Sequence, residues 1–357
     1  MKTIGFLFGA GAEFAFNMPS GGQFALDIFR CDVTDAKKDF QQMRNSINSK
    51  DQNYAGGWLP SDYKNKRIGV FGKSVCEGII QDTLHQRQQV IIKKLTNLDL
   101  VIDGILSKCE KDSLYSKKQF EADIQAITGV NTSNHYLGQR IKFNHLEKAN
   151  NIFENKYFNS IIGVYNHLTY TNDLQLKSDL KQILISIIQL LVGALGEKLT
   201  NDLNENILTI DDKDDPDLAD SDLFDEIGGI FYLDYKSVGL SGLTYLFSYI
   251  ESYRDTPQQR VLYLAQLILE EIYSSILDYK SLIDNYWHYL YCPKAEWAKF
   301  CKISIFLISV KRYIESYYNK EKSRNRNIDC YYSDIKAAIA NKKILIDYQA
   351  QLMAYHA

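Results

Sequence analysis

The apolar positions of this chain change their period near residue 78. Before it, Thr3–Phe8 (TIGFLF) is a continuous apolar run of strand length that stops at Gly9-Ala10-Gly11-Ala12-Glu13. A second loop, Asn17-Met18-Pro19-Ser20-Gly21-Gly22, leads into Gln23–Phe29, whose spacing predicts an amphipathic helix. Asp32–Asp62 is polar and holds the turn-rich stretch 53–60, and Lys66–Phe71 (KRIGVF) reads as a short strand. Beyond residue 78 the pattern is mostly helical. Ile91, Leu95, Leu98, Ile102 and Ile105 form one stripe, predicting a long helix, and Ser113–Thr128 a further one. Asn131–Asn134 breaks the pattern, and 160–164 (SIIGV) is too short for periodicity to choose between strand and helix.

Asp179–Asn206 is helical again, with Ile183, Ile187, Leu190, Leu191 and Ala194 on one side. Ile230–Tyr235 reads as a strand. Thr256-Pro257 is a helix-start signal ahead of the stripe Val261, Ala265, Ile268, Ile272 and Ile276. Trp297, Cys301, Ile305, Ile308 and Tyr313 mark the next helix, Lys320–Asn327 a basic polar link, and 334–354 a last helix. A buried strand, a glycine turn and a helix are the opening of an α/β fold, so the expected class is α/β with a Rossmann-like core and a large helical elaboration. We expect a single domain over 1–357, interrupted by an acidic loop at 211–226. Few strand candidates follow the first. Either the sheet is small or the strands completing it are not in this chain.

Composition adds bounds rather than a site. At 357 residues, 45% hydrophobic and 24% charged, the chain is ordinary for a globular protein and long enough to bury a substantial core. A net charge of −3 gives no global pull toward nucleic acid or membrane, and neither is expected as a partner. The opening apolar run is shorter than a secretory core, and Ile183–Leu195, broken by Gln189, is shorter than a membrane span. Six dispersed cysteines, without paired spacing, read as reduced and mostly buried thiols, and the expected location is the cytoplasm.

Most motif classes fail on a specific residue. The dinucleotide fingerprint wants a third glycine at 14, where Phe14 stands, and a phosphate loop ending at Gly72-Lys73-Ser74 wants a glycine where Arg67 stands. The aspartates of 211–226 miss calcium-loop spacing and read as a solvated loop, and no zinc spacing occurs. The Lys320–Arg326 run is interrupted by Glu321 and carries no interleaved aromatic.

The opening stretch, F-G-A-G-A-E at 8–13 followed by M-P-S-G-G-Q-F at 18–24, resembles the start of sirtuin-like NAD-binding domains. It is most similar to the divergent ones of bacterial anti-phage systems, over about thirty residues. The resemblance implies NAD as substrate, with Gly9, Ala10 and Gly11 at its phosphates and Met18, Pro19 and Gly21 in the loop over it. Glu13 stands where the family has Ser, which makes it a ribose ligand or a departure from the pattern. Such domains break the nicotinamide–ribose bond with an Asn that orients water or ribose and a His that acts as base. The nearest string is Thr169–Asp173, which makes Asn172 and His167 the candidates. The implied function is an NAD+ hydrolase effector of anti-phage immunity, switched on by a sensor or activator subunit or by homo-oligomer assembly. The alternatives are a catalytically silent nucleotide-binding sensor or scaffold subunit, and a helical interaction protein whose glycine turn is only structural.

Overall fold

The computed structural model describes residues 19–48, 58–135, 138, 141–144, 146–169, 171–202, 208–210, 223, 235–248, 254–277, 284, 286–324, 333 and 337. The protein is predominantly helical, which corrects the expected α/β class with its Rossmann-like core. The described strands are β1 (Ile141–Phe143) and β2 (Leu208–Ile210), an antiparallel pair of three residues each, with Lys142 opposite Thr209. Two strand-length runs took other conformations. Residues 67–71 belong to neither helix nor strand, and 160–164 lie inside a helix. That helix buries Tyr157, Phe158, Ile161, Ile162, Val164 and Tyr165, so the short run completes a wide apolar face visible only with its flanks. The runs 3–8 and 230–234, the last predicted helix apart from Ala337, and the acidic loop apart from Leu223 lie outside the described residues.

The chain divides into two compact units. The larger, residues 21–30 and 71–285, holds α1 (Gly21–Arg30), α3 (Lys73–Leu84), α4 (Gln88–Thr96), α5 (Leu98–Lys111) and α6 (Lys117–Thr128). It continues with α7 (Lys156–His167), α8 (Leu174–Asp202), α9 (Tyr235–Ser248) and α10 (Pro257–Ile276). Its centre is α10. Thr256 caps it reciprocally with Gln259, and Pro257 at the first position needs no intrahelical donor. From Val261 to Ile276 it is buried on nearly every side, against α1, α6, α8 and α4. The single stripe expected over 91–105 is two helices, α4 and α5, broken at Asn97, whose amide donates to the Lys93 carbonyl. Ser116 caps α6, and Gly129 ends it in the left-handed conformation (φ 72°) that glycine adopts without strain.

Within α8, Leu174–Gly196 is long and apolar enough to cross a membrane by length and composition, exceeding the 183–195 run read from sequence. Of its most apolar window, 72% is buried inside the protein, the pattern of a core helix. Two other helices carry avoidable glycines. A methyl at Gly78 in α3 or Gly104 in α5 would meet nothing within 4 Å. Each Gly→Ala change should therefore stabilise by about 0.5–1 kcal/mol, read as a higher urea midpoint at unchanged slope.

The smaller unit comprises residues 1–20, 31–70 and 286–357, with α2 (Thr34–Ser46) and α11 (Trp297–Arg324) as its described helices. Phe40, Leu59, Tyr63, Trp297, Cys301 and Ile305 make its core. Trp297 stacks on Phe300 at 5.2 Å and meets Tyr63 edge-on at 6.1 Å. The Tyr63 hydroxyl donates to the Ile47 carbonyl and Arg44 to the Lys66 carbonyl, closing the polar loop onto α2. α11 runs on through Lys320–Arg324, so this part of the expected polar link is helix. Of the described cysteines, Cys76, Cys109 and Cys301 are buried, and burial pushes the Cys76 thiol up to about 12.

Candidate functional site

Gly9, Ala10, Gly11, Glu13 and Met18 lie outside the described residues. The end of the cofactor-loop motif is described: Pro19 is half-buried, Ser20 exposed, and Gly21 opens α1. This helix buries Gly22, Ala25, Leu26 and Ile28 against α10. Gly22 is required by close approach. A Cβ there would fall on the carbonyl oxygen of Ser274 and 2.5 Å from its carbonyl carbon, both main-chain atoms of α10.

The other end of α1 is held by charge. Arg30 donates to Glu270 at 2.6 Å and to Asp27 at 2.6 Å, Gln23 donates to Asp27, and Gln266 donates to Glu270. Burial alone would lower the Arg30 pKa, but Glu270 and then Asp27 outweigh it and the net shift is upward. Ser20 therefore leads directly into a helix held at both ends. Sequence reading missed this clamp, because Arg30 and Glu270 are 240 residues apart and neither belongs to a motif.

The candidate pair sits around the α7–α8 connection. His167 is the last residue of α7, exposed, with Nδ1 2.8 Å from the Gly163 carbonyl oxygen. A carbonyl only accepts, so Nδ1 carries the proton in that bond and Nε2 is the basic nitrogen. Asn172 is also exposed. Its main-chain N–H donates to the Thr169 hydroxyl in the turn that precedes α8. The structure thus brings both residues to one surface connection.

The same connection shows a second histidine. The half-buried ring of His135 covers Gly163, where an added Cβ would lie 2.6 Å from its Cε1, and its Nε2 is 3.1 Å from the Thr128 hydroxyl. Burial, then the charge of His167, lower its pKa from 6.5, against an opposing hydrogen bond to the Val130 main chain. A depressed histidine favours the folded state above the unfolded pKa and loses that contribution as pH falls through it. The melting temperature should accordingly fall between pH 7.5 and 5.5, and His135→Gln should flatten part of that fall.

Two other features take no part in this constellation. Gly72 precedes α3 and Lys73 donates to the Phe247 carbonyl at 3.0 Å, so this lysine is engaged in packing. A groove of about 450 Å³ in the smaller unit is lined by Asp39, Met43, Ile308, Lys311, Arg312 and Glu315, with Arg312 bonded to Asp39 at 2.7 Å. Among the described residues, no three His, Cys, Asp or Glu side chains gather as metal ligands would. Comparison with family models, with curated proteins and with solved structures gave no match to this chain.

Proposed function

We propose that the chain is an NAD+-consuming effector of the anti-phage type, acting in the cytoplasm and switched on by a partner subunit or by self-assembly. The observation that carries the reading is the continuity of G-A-G-A-E and P-S-G-G with an anchored helix. The loop motif ends at Gly21, and the next residue is pinned to the main chain of α10. A phosphate-binding backbone gains from such preorganisation, since amides at a helix start are already directed outward and lose little freedom on binding. The reading rests on residues 9–22 and not on a Rossmann-like sheet. The reaction is cleavage of the nicotinamide–ribose bond: nicotinamide leaves with the bonding pair, water adds at the ribose carbon, and a base takes the proton released. Regulation follows from cost, because unrestrained turnover would drain the NAD of the cell.

The full chain with NAD, alone and with its activating partner, should release nicotinamide, and Gly11→Arg should abolish release by filling the phosphate turn. Turnover indifferent to Gly11→Arg would overturn the assignment of the turn. A second reading, the catalytically silent nucleotide-binding subunit, is favoured by the local roles of the candidate pair. The His167 ring bonds the Gly163 carbonyl at the end of α7, a structural reason for its residue type, and Asn172 gives its main-chain N–H to the turn before α8. NAD bound with measurable heat and recovered intact would support that reading. Because both side chains are exposed, His167→Ala and Asn172→Ala leave the fold intact and test the pair directly.

A further inference from the structure

The net charge of −3 conceals a division between the two units. The smaller unit carries twenty Lys and Arg against twelve Asp and Glu; the larger carries twenty-one against thirty-two. The smaller unit is therefore a basic module within an acidic chain. Most of the excess lies in residues 286–357, with twelve Lys and Arg against six Asp and Glu, and the whole-chain sum conceals it.

The excess meets exposed aromatic rings at the start of α11. Trp58 is 41% exposed and touches Phe300 edge-on at 5.7 Å. The single turn Trp287–Leu290 packs on α11 too, with Lys299 donating to the Tyr289 hydroxyl at 2.8 Å. On that turn Trp287 is 48% exposed, and Tyr291 just after it is 71% exposed; the two rings meet edge-to-face at 5.3 Å. His288 is exposed between them. Cations lie on the same segments as these rings. Lys302, one turn after Lys299, lies across Gly69, its Cε 3.3 Å from where a Cβ would stand, and Lys64, Lys66, Arg67 and Lys294 are exposed nearby in sequence. The acidic residues of the same segments, Asp62 and Glu296, are paired with Lys66 at 3.4 Å and Lys299 at 3.8 Å.

We infer that this face of the smaller unit, built on Trp58, Trp287, Tyr291, Lys299, Lys302 and Arg67, binds single-stranded nucleic acid. Exposed rings supply faces for unstacked bases, and the cations follow the phosphates; neither alone would choose a strand over another polyanion. A duplex keeps its bases stacked and offers the rings nothing. An acidic protein or an anionic membrane would use the same cations, and both enter the test as competitors. The inference does not rest on the NAD reading, since it uses no residue of the opening segment.

The test is fluorescence anisotropy of the full chain with a labelled 20-nucleotide single strand, as DNA and as RNA, alongside the matching duplex. The single strand should bind more tightly than the duplex. With about four phosphates neutralised, affinity should fall about fifty-fold between 50 and 200 mM salt. Trp287→Ala and Tyr291→Ala should each weaken binding at least about five-fold, the loss of one stacked base. The double change Lys302→Glu and Arg67→Glu should lower both affinity and salt slope. Circular dichroism melts establish that these surface variants keep the fold. The inference is overturned if no strand binds at 50 mM salt, or if Trp287→Ala binds as the parent does. It is equally overturned if polyglutamate or phosphatidylserine vesicles displace the strand at equal charge concentration.

Discussion

Gly22→Ala is expected to destabilise the larger unit by roughly 3–5 kcal/mol, a large share of the ~5–15 kcal/mol that holds an ordinary domain folded. The added methyl coincides with the Ser274 carbonyl oxygen and comes within 2.5 and 2.9 Å of its carbonyl carbon and Cα. None of these atoms can rotate away, since all belong to the main chain of a buried helix. Relief requires α1 to withdraw from α10, which exposes Ala25, Leu26 and Ile28 and stretches the Arg30–Glu270 bond. Ser274→Gly should not rescue the variant, because the obstruction is not a side chain. Gly78→Ala, with open space around it, serves as the control and should stabilise. Urea unfolding decides the matter: a Gly22→Ala variant within 1 kcal/mol of the parent would show that α1 does not seat on α10 in this way. The same variant links fold to function, since a loosened α1 would also release the anchored end of the loop.

What the sequence disclosed depended on whether the determining contacts were local. Thr256, Pro257 and Gln259 form a complete helix start within four residues, and α10 begins there as expected. The opening helix and the stripe of Trp297, Cys301, Ile305 and Ile308 were legible for the same reason. Asn97 was not: the apolar spacing runs through it unbroken, while its own φ of −117° and ψ of 41° end one helix and begin another. The run at 66–71 reads as a strand and the run at 160–164 as either strand or helix, because hydrophobicity over five or six residues reports burial, not period. Of the candidate site, the motif was legible and its anchoring was not. Gly22 owes its identity to a main-chain atom 252 positions later, and Arg30 to Glu270. The basic character of the smaller unit was hidden similarly, by summing charges over a chain whose two units alternate along it.

Arg260→Ala should cost about 3–5 kcal/mol, the range for removing one partner of a buried ion pair. Asp123 on α6 has a side chain only 3% exposed and receives Arg260 Nε at 2.9 Å and Nη2 at 2.7 Å on its two oxygens. The Tyr115 hydroxyl donates to it at 2.8 Å and Gln119 at 3.0 Å. Burial, and then the Asp123 carboxylate itself, push the Tyr115 phenol well above its ordinary range, so Tyr115 is a neutral donor. Without Arg260, two neutral donors are left to hold a full negative charge between α6 and α10. Arg260→Lys should recover only part of the loss, because an ammonium cannot reproduce the bidentate fork. The pair Arg260→Met with Asp123→Leu removes both charges and should be much less harmful than Arg260→Ala alone. A double-mutant cycle in urea measures this non-additivity directly. If the two single changes simply add, Asp123 is not desolvated by the α6–α10 interface, and the charge clamp is not what joins those helices.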